Sequence, residues 1–172
     1  MKKIQTTIII LTLFPFFSIA QSIIVLENKN FQGAIFPKTY TNSAYNWLDK
    51  SNRFSPTTAE AEKFENTLRS KLKKINTNLW NQQNSCPIIH RNLKKYIRQY
   101  LGFIDESGKK YLLVNFLWNK SFQENTNDPF YNELGDWKKH WQVFFDGCSH
   151  YWQIKYYLES DTLFNLEING SE

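Results

Sequence analysis

Apolar residues recur at steps of three and four through Ala61, Phe64, Leu68, Leu72 and Ile75, with Glu62, Lys63, Glu65, Arg69, Lys73 and Lys74 between them. That spacing predicts an amphipathic helix over residues 58–75, with one face buried and the charged face in water. Thr57 and Glu60 stand at capping-box spacing behind Phe54-Ser55-Pro56, which marks the helix start. Upstream, residues 21–54 hold one short apolar run, Ile23-Ile24-Val25-Leu26, among Asn, Lys, Ser and Thr without a sustained period. They read as an extended N-terminal arm with at most one strand.

Beyond the helix the period falls toward two. Residues 76–86, rich in Asn and Gln, form a loop from which Leu79 and Trp80 are expected to return to the core. After Pro87 a short helical turn reaches Leu93, and a strand starts at Tyr96. The turn Asp105-Glu106-Ser107-Gly108 joins it to the apolar run from Tyr111 to Trp118, which predicts a hairpin. Residues 119–136, around Pro129, are the longest polar insertion, and loops of this length often carry function. Trp141, Val143 and Phe145 then alternate with His140, Gln142, Phe144 and Asp146 as a third strand, and Asp146-Gly147 turns the chain. In the fourth strand Trp152, Ile154, Tyr156 and Leu158 point one way, and Tyr151, Gln153, Lys155, Tyr157 and Glu159 the other. Ser160-Asp161-Thr162 leads to a last strand with Phe164, Leu166 and Ile168 inward and Leu163, Asn165 and Glu167 outward.

A helix followed by five strands on short turns predicts an α+β fold: one long amphipathic helix packed on an antiparallel five-stranded meander. A cystatin-like or nuclear-transport-factor-like roll is the sharper expectation, by analogy, and such a fold leaves function open. Residues 55–172 are then a single α+β domain.

The first twenty residues change the compartment. Lys2 and Lys3 precede an apolar run from Ile8 to Phe17 and a small-residue exit Ser18-Ile19-Ala20, the pattern of a secretory signal peptide cleaved before Gln21. The run falls short of the roughly 20 apolar residues that span a bilayer. An uncleaved anchor and a buried N-terminal strand are the competing readings, and no cysteine follows Ala20 to take a lipid. The chain is expected to be secreted or periplasmic, without stable membrane insertion after cleavage. Removing residues 1–20 leaves 19 of the 21 Lys and Arg against 16 Asp and Glu, so the net charge falls from +5 to +3. The basic runs at residues 69–74 and 90–98 read as solvated faces before an anion or membrane-surface patch, and no nucleic-acid partner is expected.

Export also places Cys86 and Cys148, the only cysteines, where disulfides persist, so a Cys86–Cys148 bond is the default pairing. Two free thiols, an intermolecular bond or a reactive Cys148 remain as alternatives. The enzymatic alternative uses Cys148 with His150, which in a strand share one face, so that the imidazole could ionise the thiol for attack on a carbonyl. Turn plus disulfide is the plainer reading of Asp146-Gly147-Cys148-Ser149-His150. No metal and no cofactor is expected: His90, His140 and His150 lack ligand spacing, and no phosphate loop, GxSxG or HExxH occurs.

Aromatic residues make up 17% of the chain, which suits packed sheet. Trp137, Trp141, Tyr151 and Tyr157, on or beside the outer sheet face, are the candidate ligand-binding rings, able to stack on sugars or grip a peptide. Filling of the sheet's own cross-strand rows is the alternative. The segments FSPTTAEAEKFE, NLKKYIRQYLGFIDESGKKYLLVNF, WQVFFDGCSHYWQIKYYLES and LFNLEINGSE resemble a group of small uncharacterised exported proteins of Gram-negative bacteria. The resemblance implies export and a helix-plus-sheet domain, and carries over no activity or site. Such proteins often have Asp-Gly-Gly where this chain has Asp146-Gly147-Cys148. The expected function is non-enzymatic binding of a glycan, peptide or protein partner through the sheet face or the 119–136 loop.

Overall fold

The computed structural model describes residues 22–42, 48, 52–119 and 136–170. The expected signal and nearly all of the 119–136 insertion lie outside the described residues. Among the described residues one α-helix, α1 (Thr58–Ile75), accompanies the strands β1 (Ile24–Glu27), β2 (Gln32–Ile35), β3 (Arg53–Phe54), β4 (Tyr96–Ile104), β5 (Lys110–Trp118), β6 (Tyr151–Tyr157) and β7 (Thr162–Ile168). The fold is α+β with a mostly antiparallel sheet in the order β1-β2-β4-β5-β6-β7. β2 runs parallel to the first half of β4, and β3 pairs antiparallel with Gly102 and Phe103 farther along it. A parallel pair needs a long crossover, and the β2–β4 connection contains α1.

α1 starts where its capping box sets it. The Glu60 backbone N–H donates to Thr57 Oγ1 at 3.2 Å, and the Thr57 N–H donates to Glu60 Oε2 at 2.7 Å. Ala61, Phe64, Leu68 and Leu72 are buried against one sheet face, with Tyr100, Val114, Phe116, Trp152, Ile154 and Tyr156 below them. Phe64 meets Tyr156 edge-on at 5.5 Å, and Phe116 stacks on Trp152 at 3.6 Å.

Three expectations are corrected. The N-terminal arm, expected to hold at most one strand, contains the short β3 and also a two-stranded hairpin, β1 and β2. Its turn is an Asx turn in which Asn28 Oδ1 accepts the N–H groups of Asn30 and Phe31, so the polar residues that break the pattern are themselves the turn. Residues 141–145 form no strand. Two sheet amides, Gln99 and Asn115, capture that backbone instead: Gln142 N–H donates to Gln99 Oε1 at 2.8 Å, and Asn115 Nδ2 donates to the Gln142 carbonyl at 2.7 Å. Gln99 Nε2 also donates to the carbonyls of Trp137 and His140. The last strand carries a bulge opposite Gln153 to Lys155, with Asn165 at φ 50°. The extra residue reverses facing along the strand, so Leu163 is buried with Leu166 and Ile168 against the helix-side core. Phe164 lies on the other face, stacked on Tyr157 at 4.4 Å.

Two charges expected in water are buried. Glu65 and Arg98 are each 1% exposed and meet between α1 and β4, where Tyr100 OH also donates to Glu65 Oε1 at 3.1 Å. Burial and then the neighbouring carboxylate push the Tyr100 hydroxyl well above its usual pKa. At the β6–β7 turn, Asp161 accepts hydrogen bonds from the hydroxyls of Thr67 and Tyr156 and pairs with Lys71, clipping the turn to α1.

Candidate functional site

On the second sheet face two of the four candidate aromatic residues are core. Trp137 and Trp141 are 8% and 1% exposed and pack with Phe36, Leu48, Ile97, Leu101 and Leu117. Held there by the Gln99 and Asn115 amides, they seal the face. Tyr151 is half-buried and stacked on Phe144 at 3.9 Å. Tyr157, also half-buried, lies at the far end of β6 and donates its hydroxyl to Asp105 Oδ2 at 2.9 Å. These four rings do not converge on one open surface.

Cys148 is joined to Cys86 across 6.1 Å between Cα atoms, the default pairing. His150 Nδ1 does lie 3.4 Å from the Cys148 sulfur. A sulfur in a disulfide has no thiolate to deliver. The same Nδ1 is 3.1 Å from the Gly147 carbonyl, so the imidazole nitrogen is shared between the sulfur and a backbone oxygen. Among the described residues no group of His, Cys, Asp and Glu could hold a metal ion, and no helix is long and apolar enough to cross a membrane.

The disulfide belongs to a larger arrangement at one end of the sheet. Below α1, Asn76 and Gln82 exchange side-chain amide hydrogen bonds of 2.8 and 2.7 Å, and Gln82 Oε1 also accepts the Ile89 N–H. Asn76 Nδ2 lies 3.1 Å from His90 Nδ1, and burial, with Arg91 and Lys73, lowers the His90 pKa and favours the neutral ring that can accept there. Farther along, Asn81 Nδ2 donates to the Asn169 carbonyl at 2.7 Å, and the Asn81 carbonyl accepts the Ser149 N–H. Asn169 Nδ2 in turn donates to the carbonyls of Phe144 and Asp146. Tyr96 OH donates to the Ser149 carbonyl and Ser149 Oγ to that of Pro87, each at 2.6 Å. Three chain segments, 76–87, 144–150 and the residues after β7, are thereby tied into one tip.

The backbone of this tip is under tension. Leu79, Asn81 and Asn84 adopt φ of 50°, 53° and 59°, and Cys148 adopts 47° after Gly147 at 84°. Asparagine enters this left-handed region readily, whereas Leu79 and Cys148 are each held there at a cost of about 1–3 kcal/mol that the surrounding structure must offset. At Gly147 a Cβ would lie 2.8 Å from the Tyr151 ring, so glycine is required for space as well as for φ.

The consequence is that Trp80, set between Leu79 and Asn81, turns outward and is 72% exposed, against the expectation that it returns to the core. Leu79 is partly covered. Trp80 lines two clefts: one of about 440 Å³ with Ile75, Leu79, Leu166 and Ile168, and one of about 550 Å³ with Asn78, Gln83, Asn84 and Ser85. Phe145, 91% exposed, stands on the segment that Asn169 holds. The readable signal was a tryptophan inside an uncharged run of Asn and Gln that ends at a cysteine. Comparison of the chain with protein families, curated proteins and solved structures found no match.

Proposed function

We propose that the protein is an exported, non-enzymatic binding domain whose recognition surface is the disulfide-tied tip bearing Trp80. The observation that carries this reading is an exposed indole held between two left-handed residues by hydrogen bonds on both sides. Strain of this kind persists where a surrounding network holds it, and it leads from structure toward function. A large flat ring fixed in place also binds with little further ordering cost. Export is supported by the Lys2-Lys3, apolar and Ser18-Ile19-Ala20 sequence, and a bonded cysteine pair suits an oxidising compartment. The same export and helix-plus-sheet organisation is what the resemblance to small exported bacterial proteins implies. One helix followed by the antiparallel run β4 to β7 supports a cystatin-like or nuclear-transport-factor-like roll, an architecture from which no activity follows.

Glycan and peptide arrays probed with the wild type and with Trp80→Ala test the binding reading. Binding that depends on Trp80 supports it. Array signals indifferent to Trp80, or reproducible turnover of a substrate by the purified domain, overturn it. Intact mass of the exported protein tests the export step, with a chain beginning at Gln21 expected and retention of residues 1–20 counting against it.

A further inference from the structure

We infer that the Trp80 tip binds a neutral saccharide, an inference that rests on reading this tip as the recognition surface. A pyranose presents a flat apolar C–H face and a rim of hydroxyls, each both donor and acceptor. The exposed Trp80 indole supplies a complementary flat apolar surface. Amide side chains offer a donor and an acceptor on one group, which matches a hydroxyl better than a purely cationic or purely anionic side chain does. Six of the eleven residues from 76 to 86 are Asn or Gln, and none is charged.

These amides divide by role. Asn76, Gln82 and Asn81 are spent inside the tip, where they hold its shape. The side chains of Asn78, Gln83 and Asn84 are exposed, line the polar cleft beside Trp80, and make no hydrogen bond among the described residues. They are available to a ligand. The adjoining cleft, which shares Asn78, Leu79, Trp80 and Asn81 with the first, adds the apolar Ile75, Leu166 and Ile168 together with Asn76 and Glu167, a carboxylate that accepts hydrogen bonds from hydroxyls and repels anions. An anionic ligand would need Lys or Arg in these walls, and a tip that inserts into anionic lipid would need a basic rim; neither cleft is lined by either residue.

Affinity electrophoresis of the full chain through gels carrying neutral glucans, mannan or N-acetylglucosamine oligomers tests this, with polygalacturonate gels, phosphatidylcholine vesicles and a peptide array alongside. Retardation by at least one neutral saccharide is expected, unchanged on raising salt, weakened about tenfold or more in Trp80→Ala and largely kept in Trp80→Phe. Asn78→Ala with Gln83→Ala, neither at a left-handed position, is expected to weaken it as well, which guards against an effect of Trp80 on folding alone. Trp80-dependent binding confined to polygalacturonate, vesicles or peptides would overturn the saccharide while leaving the tip as the recognition surface. Saccharide binding that Trp80→Ala leaves intact, or an absence of Trp80-dependent binding on every probe, would overturn both.

Discussion

The Arg98 guanidinium lies on the Glu65 carboxylate through Nε to Oε1 at 3.0 Å and a second bond to Oε2 at 3.2 Å, with both side chains closed off from water. This pair pins α1 to the centre of the sheet. A buried ion pair adds little net stability over an apolar pair, but losing one member leaves an uncompensated charge. Glu65→Ala is therefore expected to destabilise the fold by about 3–5 kcal/mol, and Glu65→Leu with Arg98→Met by less than the two single changes summed. Urea unfolding of the wild type, Glu65→Ala, Glu65→Leu, Arg98→Met and the double variant checks this; strict additivity would show that the two groups do not act as a pair.

The Cys86–Cys148 bond closes a separation of 62 residues, and in the entropic view such a link is worth at most about 4 kcal/mol. Reduction is expected to lower the melting temperature, and the unreduced protein should contain no titratable thiol. Because Cys148 sits at φ 47°, the replacement residue matters too. Cys86→Ala with Cys148→Gly should be more stable than Cys86→Ala with Cys148→Ala by about 1 kcal/mol, since glycine adopts that conformation freely. Equal melting points for the two variants would place the strain elsewhere.

Asp161 gives the fold an acid-sensitive clip. Hydrogen bonds from Thr67 and Tyr156, followed by Lys71, hold its carboxyl down to about 2. The unfolded chain takes up this proton at its ordinary value near 3.8, before the folded protein does, so the contribution is present above that value and is lost as pH falls toward about 2. Stability measured by urea midpoints should drop over this window, and Asp161→Asn should flatten the drop while lowering stability at neutral pH. Asparagine tolerates the φ of 52° at this position, so the comparison isolates the charge. An unchanged acid limb in Asp161→Asn would assign the sensitivity to other carboxylates.

Much of the fold was legible because its signals are local. Thr57 and Glu60 announce α1 from three residues apart, and Asp105 to Gly108 announces the β4–β5 hairpin. The cysteine pairing followed from counting. What escaped depends on partners far along the chain or on a single residue. Nothing near Gln142 shows that Gln99, 43 positions earlier, will take its N–H away from a strand ladder. Glu65 looked solvated because its counter-charge stands in β4, 33 positions later. One left-handed residue, Asn165, moved Leu163 to the inner face and Phe164 to the outer. Trp80 was misplaced for a related reason: hydrophobicity points a tryptophan inward, whereas the bonds from Asn81 to Asn169 and Ser149 fix the loop with its ring outward.

The role assigned to Gln99 can be separated from that of the rings it helps to hold. Its side chain satisfies three backbone groups at once: the Gln142 N–H and the carbonyls of Trp137 and His140. Gln99→Leu nearly preserves volume but takes the partner from the Gln142 N–H and the Trp137 carbonyl, while Gln142 Nε2 still donates to the His140 carbonyl at 3.1 Å; each buried unpaired group costs about 1–3 kcal/mol. Some of that cost is recovered if the segment lifts and admits water, so a loss of about 3 kcal/mol is expected. Tyr40→Phe removes a single bond, from Trp141 N–H to the Tyr40 hydroxyl at 2.9 Å, and should cost nearer about 1 kcal/mol. Amide hydrogen exchange distinguishes the amide account from packing. If the sheet amide anchors residues 137–142, Gln99→Leu raises exchange at Gln142 far more than at β4 and β5. Protection of Gln142 equal to that of the wild type would mean that burial of Trp137 and Trp141 alone keeps the segment on the sheet.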